Sequence, residues 1–405
     1  MYDISIYGLG KHLIRDDLTD LSNNLPTWKD LIPILCPSAS LPDYQTLGRL
    51  IEDMSGNAWM PAFRWDSLLT EGTYGKVYKG NRVIYKRHDN SQQYKLVQGN
   101  EHIVLKEIHI PVNIHAGDHV REVKAIMYEA TIHALVTQFF KKINWSFAVP
   151  NLYEIFSRGA QHISTIHDVK EVVFCMEYIR GSTLFEFTKQ QLLPSAGLPD
   201  QTKKNDAIYL RIIAEIALQL REVQVNLRMN HRDMKVNNIL IRHRKPDWIP
   251  VFATFYPALA DFDKFNFNIV LIDYGFACIA CGDAHDTPEM SLLEAGSWFG
   301  PTDACFKTGR DLVQFIFCME CYFPRHKYFS DSLSLLIEKW MTVSYSEGTA
   351  RLWNGISSIG RPFPTPQKLL FDTGIYEFLR RTEVNPSHCA PQKILEDIKA
   401  YYESH

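Results

Sequence analysis

The chain has 405 residues, of which 46% are hydrophobic, 22% charged and 12% aromatic, and its formal net charge is −3. This composition predicts a globular chain of two lobes or domains, long enough to bury a large core without the help of disulfides or structural metals. The near-neutral charge does not indicate a general binder of nucleic acids or membrane surfaces. The first residues lack a secretory signal and no apolar run reaches the roughly 20 residues that span a bilayer, so we expect a soluble, intracellular protein, cytoplasmic or nuclear.

The eight cysteines do not form the pattern of a secreted disulfide framework. Two pairs have CxxC spacing, Cys278 with Cys281 and Cys318 with Cys321, which makes a four-cysteine zinc site conceivable. Residues 312–319, however, form an apolar run that predicts a buried helix around Cys318. We therefore favour core packing over metal binding for the second pair.

Residues 1–65 carry no chemical motif and predict an ordered N-terminal extension, in which the stretch 44–54 has the spacing of an amphipathic helix. Between residues 63 and 110, short runs rich in Val, Ile and Tyr and broken by Gly and Asn predict strands. Residues 120–140 predict one long helix. Its apolar stripe consists of Val123, Ile126, Met127, Ala130 and Ala134.

Two further strands are predicted at residues 151–156 and 171–178, and helices dominate after residue 182. In residues 206–227 the apolar side chains recur at steps of three and four, which is typical of a helix. The sequence therefore predicts an α+β, bilobal fold with a small β-rich lobe at 66–180 and a larger α-helical lobe at 181–405. A cleft between two lobes is the usual place for a ligand.

The strongest chemical signal is the stretch NHRDMKVNNILI at residues 230–241, which matches the pattern H-R-D-L-x-x-x-N except for Met234. Asp233 would lie on a loop, where its carboxylate can accept a hydrogen bond from a hydroxyl group and align that group for attack. Asn238 offers a neutral oxygen to a hard cation. Lys235 adds a positive charge between them in the sequence, and an apolar strand follows.

A second signal is the apolar run VLIDYG at residues 270–275. Asp273 would be a second oxygen ligand for the cation, and Gly275 would give the backbone freedom after it. The long interval between Asp233 and Asp273 predicts an insertion over residues 242–268.

The third signal is the stretch TEGTYGKVY at residues 70–78, which fits G-x-G-x-x-G-x-V with Thr70 in place of the first glycine. Gly72 and Gly75 would let the backbone approach phosphate groups and offer its N–H groups to them, and Val77 is the apolar position that follows. Because a β-hairpin uses the same residues, this pattern gains weight mainly from its position ahead of the other two.

In this order the three patterns resemble those of the eukaryotic protein kinase superfamily, over residues 66–405. The resemblance implies ATP and Mg²⁺ as cofactors and direct in-line transfer of the γ-phosphate to a serine or threonine hydroxyl of a protein substrate. Asp233 would orient the acceptor, Lys235 would assist, and Asn238 and Asp273 would bind Mg²⁺. Lysine two positions after the catalytic aspartate is the serine/threonine pattern of that family.

The resemblance also assigns supporting roles. Met176 would be the gatekeeper of a hinge whose backbone at Glu177 and Ile179 binds the adenine edge. The residues around the phosphates would be Thr70, Gly72, Gly75 and Val77. The residues that support the catalytic loop and the metal ligand would be His231, Arg232, Gly275 and Asp311.

Two assignments stay open. The ATP-anchoring lysine is Lys106 or Lys86, both on strand-like runs, and Lys106 is favoured because it precedes the predicted helix by the interval usual in the family. Its partner is Glu122 or Glu129, which share one face of that helix. The resemblance implies a Lys–Glu ion pair but does not choose between the two glutamates.

The chain departs from the family where A-P-E is expected, since residues 296–301 read GSWFGP. The glutamate whose ion pair anchors the peptide-binding segment is therefore missing. With this departure, the insertion and the Asp-Tyr pair, the chain resembles haspin-like kinases and kinases encoded by large DNA viruses. A viral origin would place the protein in a host cell or virion. If this segment is phosphorylated, Arg232 could bind the phosphate group. The candidate phosphorylation sites are Thr287, Ser291, Ser297 and Thr302.

Two alternative functions remain open. The first is a pseudokinase that binds nucleotide as a scaffold. The second is a small-molecule kinase on the same fold, which Arg232 disfavours because such enzymes usually lack that arginine. We expect a monomer without a nucleic-acid or membrane partner.

Overall fold

The computed structural model describes most of the chain, in twelve stretches that exclude several loops and most of the N-terminal extension. These stretches are residues 36–37, 46–48, 51–52, 58–72, 75–87, 94–110, 115–157, 166–194, 198–280, 292–294, 306–342 and 387–404. The chain divides into two compact units. The first holds the described residues up to Gln138 and Pro150–Ile179, and the second holds Phe139–Val149 and the described residues from Arg180 onward.

The first unit is built on one sheet that contains eight of the described strands. These are β1 (Cys36–Pro37), β2 (Thr46–Gly48), β3 (Ile51–Glu52), β4 (Ala58–Gly72), β5 (Gly75–Arg87), β6 (Tyr94–His109), β7 (Leu152–Ser157) and β8 (Glu171–Glu177). Their order is β1-β7-β8-β6-β5-β4-β2, with β3 also paired to β4. The β1–β7 pair is parallel and the other pairs are antiparallel.

Helix α1 (Ala116–Lys142) covers one face of this sheet. All members of its predicted apolar stripe are buried there against Ile108, Val172 and Phe174, which confirms the helical periodicity. The opposite face is covered by Phe63 and Phe156, among others, which pack with Val173 and Cys175. Strand β8 is therefore buried on both faces, and this explains why its sequence is apolar without alternation.

The N-terminal extension corrects one expectation. Residues 44–54 were expected to be an amphipathic helix, but the described part of this stretch forms β2 and β3, both antiparallel to β4. Helical periodicity is a weak signal in so short a segment. The open edge of β4 offers backbone hydrogen bonds, and a helix of about three turns is only marginally stable by itself, so tertiary pairing prevails.

The second unit is mainly helical. Its helices are α2 (Leu184–Gln191), α3 (Pro199–Leu227), α4 (Val251–Phe255), α5 (Arg310–Tyr322), α6 (Arg325–Tyr328), α7 (Asp331–Thr342) and α8 (Pro391–Ser404). Its strands are β9 (Gly181–Thr183), β10 (Met229–Asn230), β11 (Ile239–His243), β12 (Phe267–Leu271), β13 (Cys278–Ala280) and β14 (Leu292–Glu294). They form two antiparallel sheets, β12-β11-β9 and β10-β13-β14.

Helix α3 is the buried centre of this unit. Pro199 occupies its first turn, where the missing N–H costs nothing, and Arg228 ends it in a left-handed conformation with φ 47°. Inside it, the guanidinium of Arg211 donates to the carboxylate of Glu215 at 2.5 Å, and both side chains are at most 1% exposed. The predicted helix at 206–227 is thus confirmed and begins earlier, at Pro199.

The predicted insertion is an ordered part of the second unit, and it spans residues 244–266 between β11 and β12. It contains α4 and a 3-10 helix at Pro257–Lys264. Its aromatic rings stack on the segment that follows α1: Phe255 lies 5.0 Å from Trp145, and Trp248 lies 4.3 Å from Phe147, between ring centroids.

The protein has the α+β fold that the sequence predicts, with one unit formed by a sheet and a helix and a second unit dominated by helices. Within the part of the chain that the structure describes, no helix combines the length and the apolar character needed to cross a membrane.

Candidate active site

The stretch with the strongest motif forms a compact loop between β10 and β11. Asp233 is 5% exposed, and Lys235 Nζ donates to its Oδ2 at 2.6 Å. Asn238, at the end of a 3-10 turn, donates through Nδ2 to the same Oδ2 at 2.8 Å and to the Asp233 carbonyl at 3.0 Å. Both side-chain bonds use Oδ2, so Oδ1 is the carboxylate oxygen that can accept a bond from a hydroxyl group.

This loop is held from below by helix α5. Asp311 is fully buried and accepts from the backbone N–H of His231 at 3.0 Å and of Arg232 at 2.8 Å. Gln314 donates to the carbonyl of Arg232 at 2.9 Å. Arg232 has φ 65°, a left-handed conformation that is costly for a residue with a side chain. These bonds on both sides of its backbone explain why the conformation persists.

The second motif lies beside the first because β11 and β12 are antiparallel. Ile239 pairs with Leu271, and the N–H of Ile272 donates to the carbonyl of Asn238 at 3.0 Å. His231 Nε2 donates to the carbonyl of Ile272 at 3.0 Å. Asp273, the next residue, has φ 65°. The strand pairing therefore brings Asp273 to the same end of this sheet as Asn238.

Gly275 differs from its expected role. The positive φ in this motif falls on Asp273, and Gly275 lies in the turn that follows without one. Aspartate tolerates the left-handed region better than most residues. Tyr274 is buried with its ring 5.1 Å from that of His231, and burial raises the pKa of its phenol. It fills an aromatic position between the two motifs.

The donor set of Asn238 and Asp273 fits Mg²⁺. Asn238 uses its amide nitrogen in both bonds to Asp233, which leaves its amide oxygen for a cation. A carboxylate and an amide oxygen at one strand end are the hard ligands that Mg²⁺ prefers, with water and phosphate oxygens completing the shell.

In the first unit, Lys106 and Glu129 form an ion pair. Lys106 Nζ lies 2.5 Å from Glu129 Oε1, with side-chain exposures of 19% and 9%. Lys106 lies opposite Phe174 on β8, and its ammonium is 6.0 Å from the centre of that ring. Of the two glutamates left open, the structure pairs Lys106 with Glu129, while Glu122 lies two turns nearer the start of α1 and is half-buried.

The alternative lysine occupies a different end of the sheet. Lys106 lies opposite Val77, close to the hairpin turn, whereas Lys86 lies opposite Lys95 near the far end of β5. The side chain of Lys86 is outside the described part of the chain. The backbone register therefore places Lys106, and not Lys86, beside the glycine-rich stretch.

The glycine-rich stretch is a β-hairpin between β4 and β5, in which Gly72 pairs with Gly75 and Thr70 with Val77. The residues at its tip, 73 and 74, lie outside the described residues. A Cβ on Gly75 would lie 1.9 Å from the carbonyl oxygen of Glu107, so glycine is required there for β5 and β6 to pair. A Cβ on Gly72 would meet nothing within 4 Å. Gly72 is therefore not required by packing.

The predicted hinge lies at the end of β8 and of the first unit. Met176 packs against the core under α1, and Ile179 is 7% exposed. The N–H of Glu177 donates to the carbonyl of Asn151 at 2.8 Å, and its Oε2 accepts from Asn151 Nδ2 at 2.8 Å. Asn151 is a positioning contact that the sequence did not indicate, because no local pattern links residues so far apart.

Several predicted residues lie outside the described part of the chain. They are Cys281, the stretch 296–301, Thr287, Ser291, Ser297 and Thr302. The described cysteines do not support a zinc site. Cys278 is disulfide-bonded, and burial raises the pKa of the Cys318 thiol to about 12, which keeps it protonated at neutral pH. Core packing accounts for Cys318.

Comparisons with known proteins add little to this geometry. No protein-family model and no curated protein sequence matches the chain. Two solved structures share 13% and 11% sequence identity with it. The autoinhibited serine kinase domain of the giant muscle protein titin matches with a TM-score of 0.34, over 83% of this chain and 91% of that one. The ROP18 kinase domain in complex with AMP-PNP and sucrose matches with a TM-score of 0.37, over 92% and 88%.

Similarities with such low TM-scores carry no weight for or against a shared fold. The fold is decided by the elements themselves. A sheet and a helix joined by the ion pair of Lys106 on β6 with Glu129 on α1 precede a helical unit, in which a buried aspartate on α5 supports the loop of Asp233. These elements follow one another along the chain in the order that the sequence patterns predict.

Proposed function

We propose that the chain is an ATP-dependent protein kinase that transfers the γ-phosphate of MgATP to a serine or threonine hydroxyl. The observation that carries this proposal is the cluster of Asp233, Lys235 and Asn238 on one buried loop. A carboxylate, a cation and an amide oxygen in this arrangement suit phosphoryl transfer, where positioning and charge stabilisation supply most of the catalysis.

Asp233 would position the acceptor hydroxyl. Its Oδ1 accepts a hydrogen bond from the substrate hydroxyl and aligns the oxygen for in-line attack on the γ-phosphorus. The new O–P bond forms as the bond to the β-phosphate oxygen breaks, ADP leaves, and the hydroxyl proton passes to Asp233. Lys235, already bonded to Oδ2, places its charge where the transferring group is negative.

Asn238 and Asp273 would hold Mg²⁺, which neutralises phosphate charge when it is bound. Lys106 would bind the phosphates that are not transferred, and Glu129 holds its ammonium in one position. Glu129 is itself 7% exposed, so the pair is largely shielded from screening by salt.

The serine/threonine assignment is supported by Lys235, since that family pattern places lysine two residues after the catalytic aspartate. The similarity to haspin-like and viral kinases is supported by two described features, the ordered insertion at 244–266 and Tyr274 in place of phenylalanine. The adenine would be bound by the backbone at Glu177 and Ile179, with Met176 behind it.

The test is transfer of labelled γ-phosphate from MgATP to casein, histone and myelin basic protein, with Asp273→Asn alongside. Label on serine or threonine that disappears in the variant would support the proposal. MgATP binding in a thermal-shift assay without transfer to any protein would refute it. Transfer to amino sugars or choline-like acceptors would then identify a small-molecule kinase, and no transfer at all would identify a pseudokinase.

A further inference from the structure

Asn230, the residue before the His-Arg-Asp motif, makes an unusual set of bonds. It is fully buried. Its Oδ1 accepts from the N–H of Lys307 at 2.6 Å, and its Nδ2 donates to the carbonyl of Lys307 at 3.1 Å. The same Nδ2 donates to Asp311 Oδ2 at 3.0 Å. One side-chain amide therefore satisfies both backbone groups of Lys307, as a neighbouring strand would.

The neighbouring residues reinforce this contact. The guanidinium of Arg228 lies 5.8 Å from the ring centre of Phe306. Residues 228 and 230 therefore both contact the segment at residues 306 and 307. On its other side, the backbone of β10 pairs with β13, with Asn230 opposite Cys278. Strand β10 therefore contacts two segments. Its backbone pairs with β13, which follows the Asp-Tyr-Gly motif, and the side chain of Asn230 binds the segment that leads into α5.

Lys307 follows shortly after residues 296–301, where the A-P-E glutamate of the kinase superfamily is missing. That glutamate anchors the peptide-binding segment by an ion pair. We propose that Asn230 supplies the anchor in this protein, as a positioning residue that fixes the segment at Phe306 and Lys307 to the loop of Asp233. The inference rests on the proposed function. It identifies a residue that controls how the protein substrate is positioned at Asp233.

The connection from Asn230 to the loop of Asp233 runs through one side chain, that of Asp311. Asp311 accepts from Asn230 and also from the backbone of His231 and Arg232. A change at Asn230 therefore acts on two partners at once: it removes the two side-chain bonds to the backbone of Lys307, and it leaves Asp311 with the backbone donors of His231 and Arg232. Both effects bear on the loop of Asp233, whereas the carbonyl of Asn238 is bonded separately to the N–H of Ile272, the residue before Asp273.

The experiment compares the wild type with Asn230→Ala, with the milder Asn230→Ser, and with Asn226→Ala as a matched control. Asn226 is exposed and donates only within its own helix, to the Glu222 carbonyl. Steady-state kinetics give kcat and the KM values for casein and for ATP separately. Hydrogen exchange, followed by mass spectrometry on peptides that contain Lys307, reports the anchor without reference to activity.

We expect Asn230→Ala to lower kcat/KM for casein by about tenfold or more, while KM for ATP changes by less than about twofold. Exchange at Lys307 should become at least about tenfold faster, because a buried amide loses its acceptor. Asn230→Ser should lie between wild type and Asn230→Ala in both measurements. Asn226→Ala should resemble wild type.

Unchanged exchange at Lys307 in both Asn230 variants would overturn the anchor. An equal loss in the casein and ATP parameters, in proportion to a lower melting temperature, would reduce Asn230 to a structural residue and also overturn the proposal. If the wild type transfers no phosphate, the proposed function fails and the role of Asn230 in the reaction fails with it, while hydrogen exchange still decides whether the anchor exists.

Discussion

Replacing Arg211 by methionine should destabilise the second unit strongly, because it leaves Glu215 buried without its counter-ion. Arg211 donates to Glu215 and to the carbonyls of Phe262 and Phe267, while Glu215 accepts from the N–H of Ile269. Removing one partner of a buried pair typically costs about 3–5 kcal/mol. Since the carbonyls lie in the insertion and in β12, the strand that leads to Asp273, activity should fall as well.

The loss should depend on pH in a defined direction. Burial raises the pKa of the Glu215 carboxyl, and the neighbouring Arg211 guanidinium opposes that rise. Without Arg211 the folded-state pKa is higher still, so the folded protein binds a proton that the unfolded chain has already released. Stability is then retained at pH values below the unfolded pKa and is lost as pH rises towards the folded one.

Urea unfolding of Arg211→Met at about pH 7.5 and about pH 5 should therefore show a smaller deficit at the lower pH. The double variant Arg211→Met/Glu215→Leu should recover most of the stability, because no unpaired charge remains. A single variant that loses less than about 1 kcal/mol, or a double variant no better than the single one, would refute the reasoning.

Three further outcomes are expected. Glu129→Gln should lower kcat/KM by about tenfold or more, whereas Glu122→Gln should stay within about twofold, and equal effects in a phosphate-transfer assay would contradict the pairing seen with Lys106. Gly75→Ala should lower the melting temperature, since its Cβ would meet a backbone oxygen at 1.9 Å, while Gly72→Ala should not, and thermal shift distinguishes them. Asp233→Ala should lower turnover by about a hundredfold or more with MgATP binding retained, and near-normal rates would exclude it as the catalytic residue.

The sequence was most informative where a pattern is local. The apolar stripe of α1 and the helix around residues 206–227 follow from periodicity alone. The motif at 230–241 was readable because its residues act within one short loop. In each case, the residues that determine the structure lie within a few positions of one another.

What the sequence did not indicate depends on partners far along the chain. Glu122 and Glu129 share a helix face, so only the position of α1 against β6 decides which one meets Lys106. No sequence pattern indicates the partners of the Asn230 and Gln314 side chains, because these include backbone groups about 80 residues away. The prediction of a helix at residues 44–54 was wrong because the strands β2 and β3 form only by pairing with β4.

The N-terminal strands have a consequence for how the protein behaves in a crowded solution. Strand β1 lies along β7 at one margin of the first sheet, and β2 and β3 lie along β4 at the other. These short strands thus cover part of each row of backbone groups that could otherwise recruit a strand from another molecule. A chain shortened to begin at residue 58 would present two open margins and invite self-association, although every residue with a proposed part in catalysis would still be there.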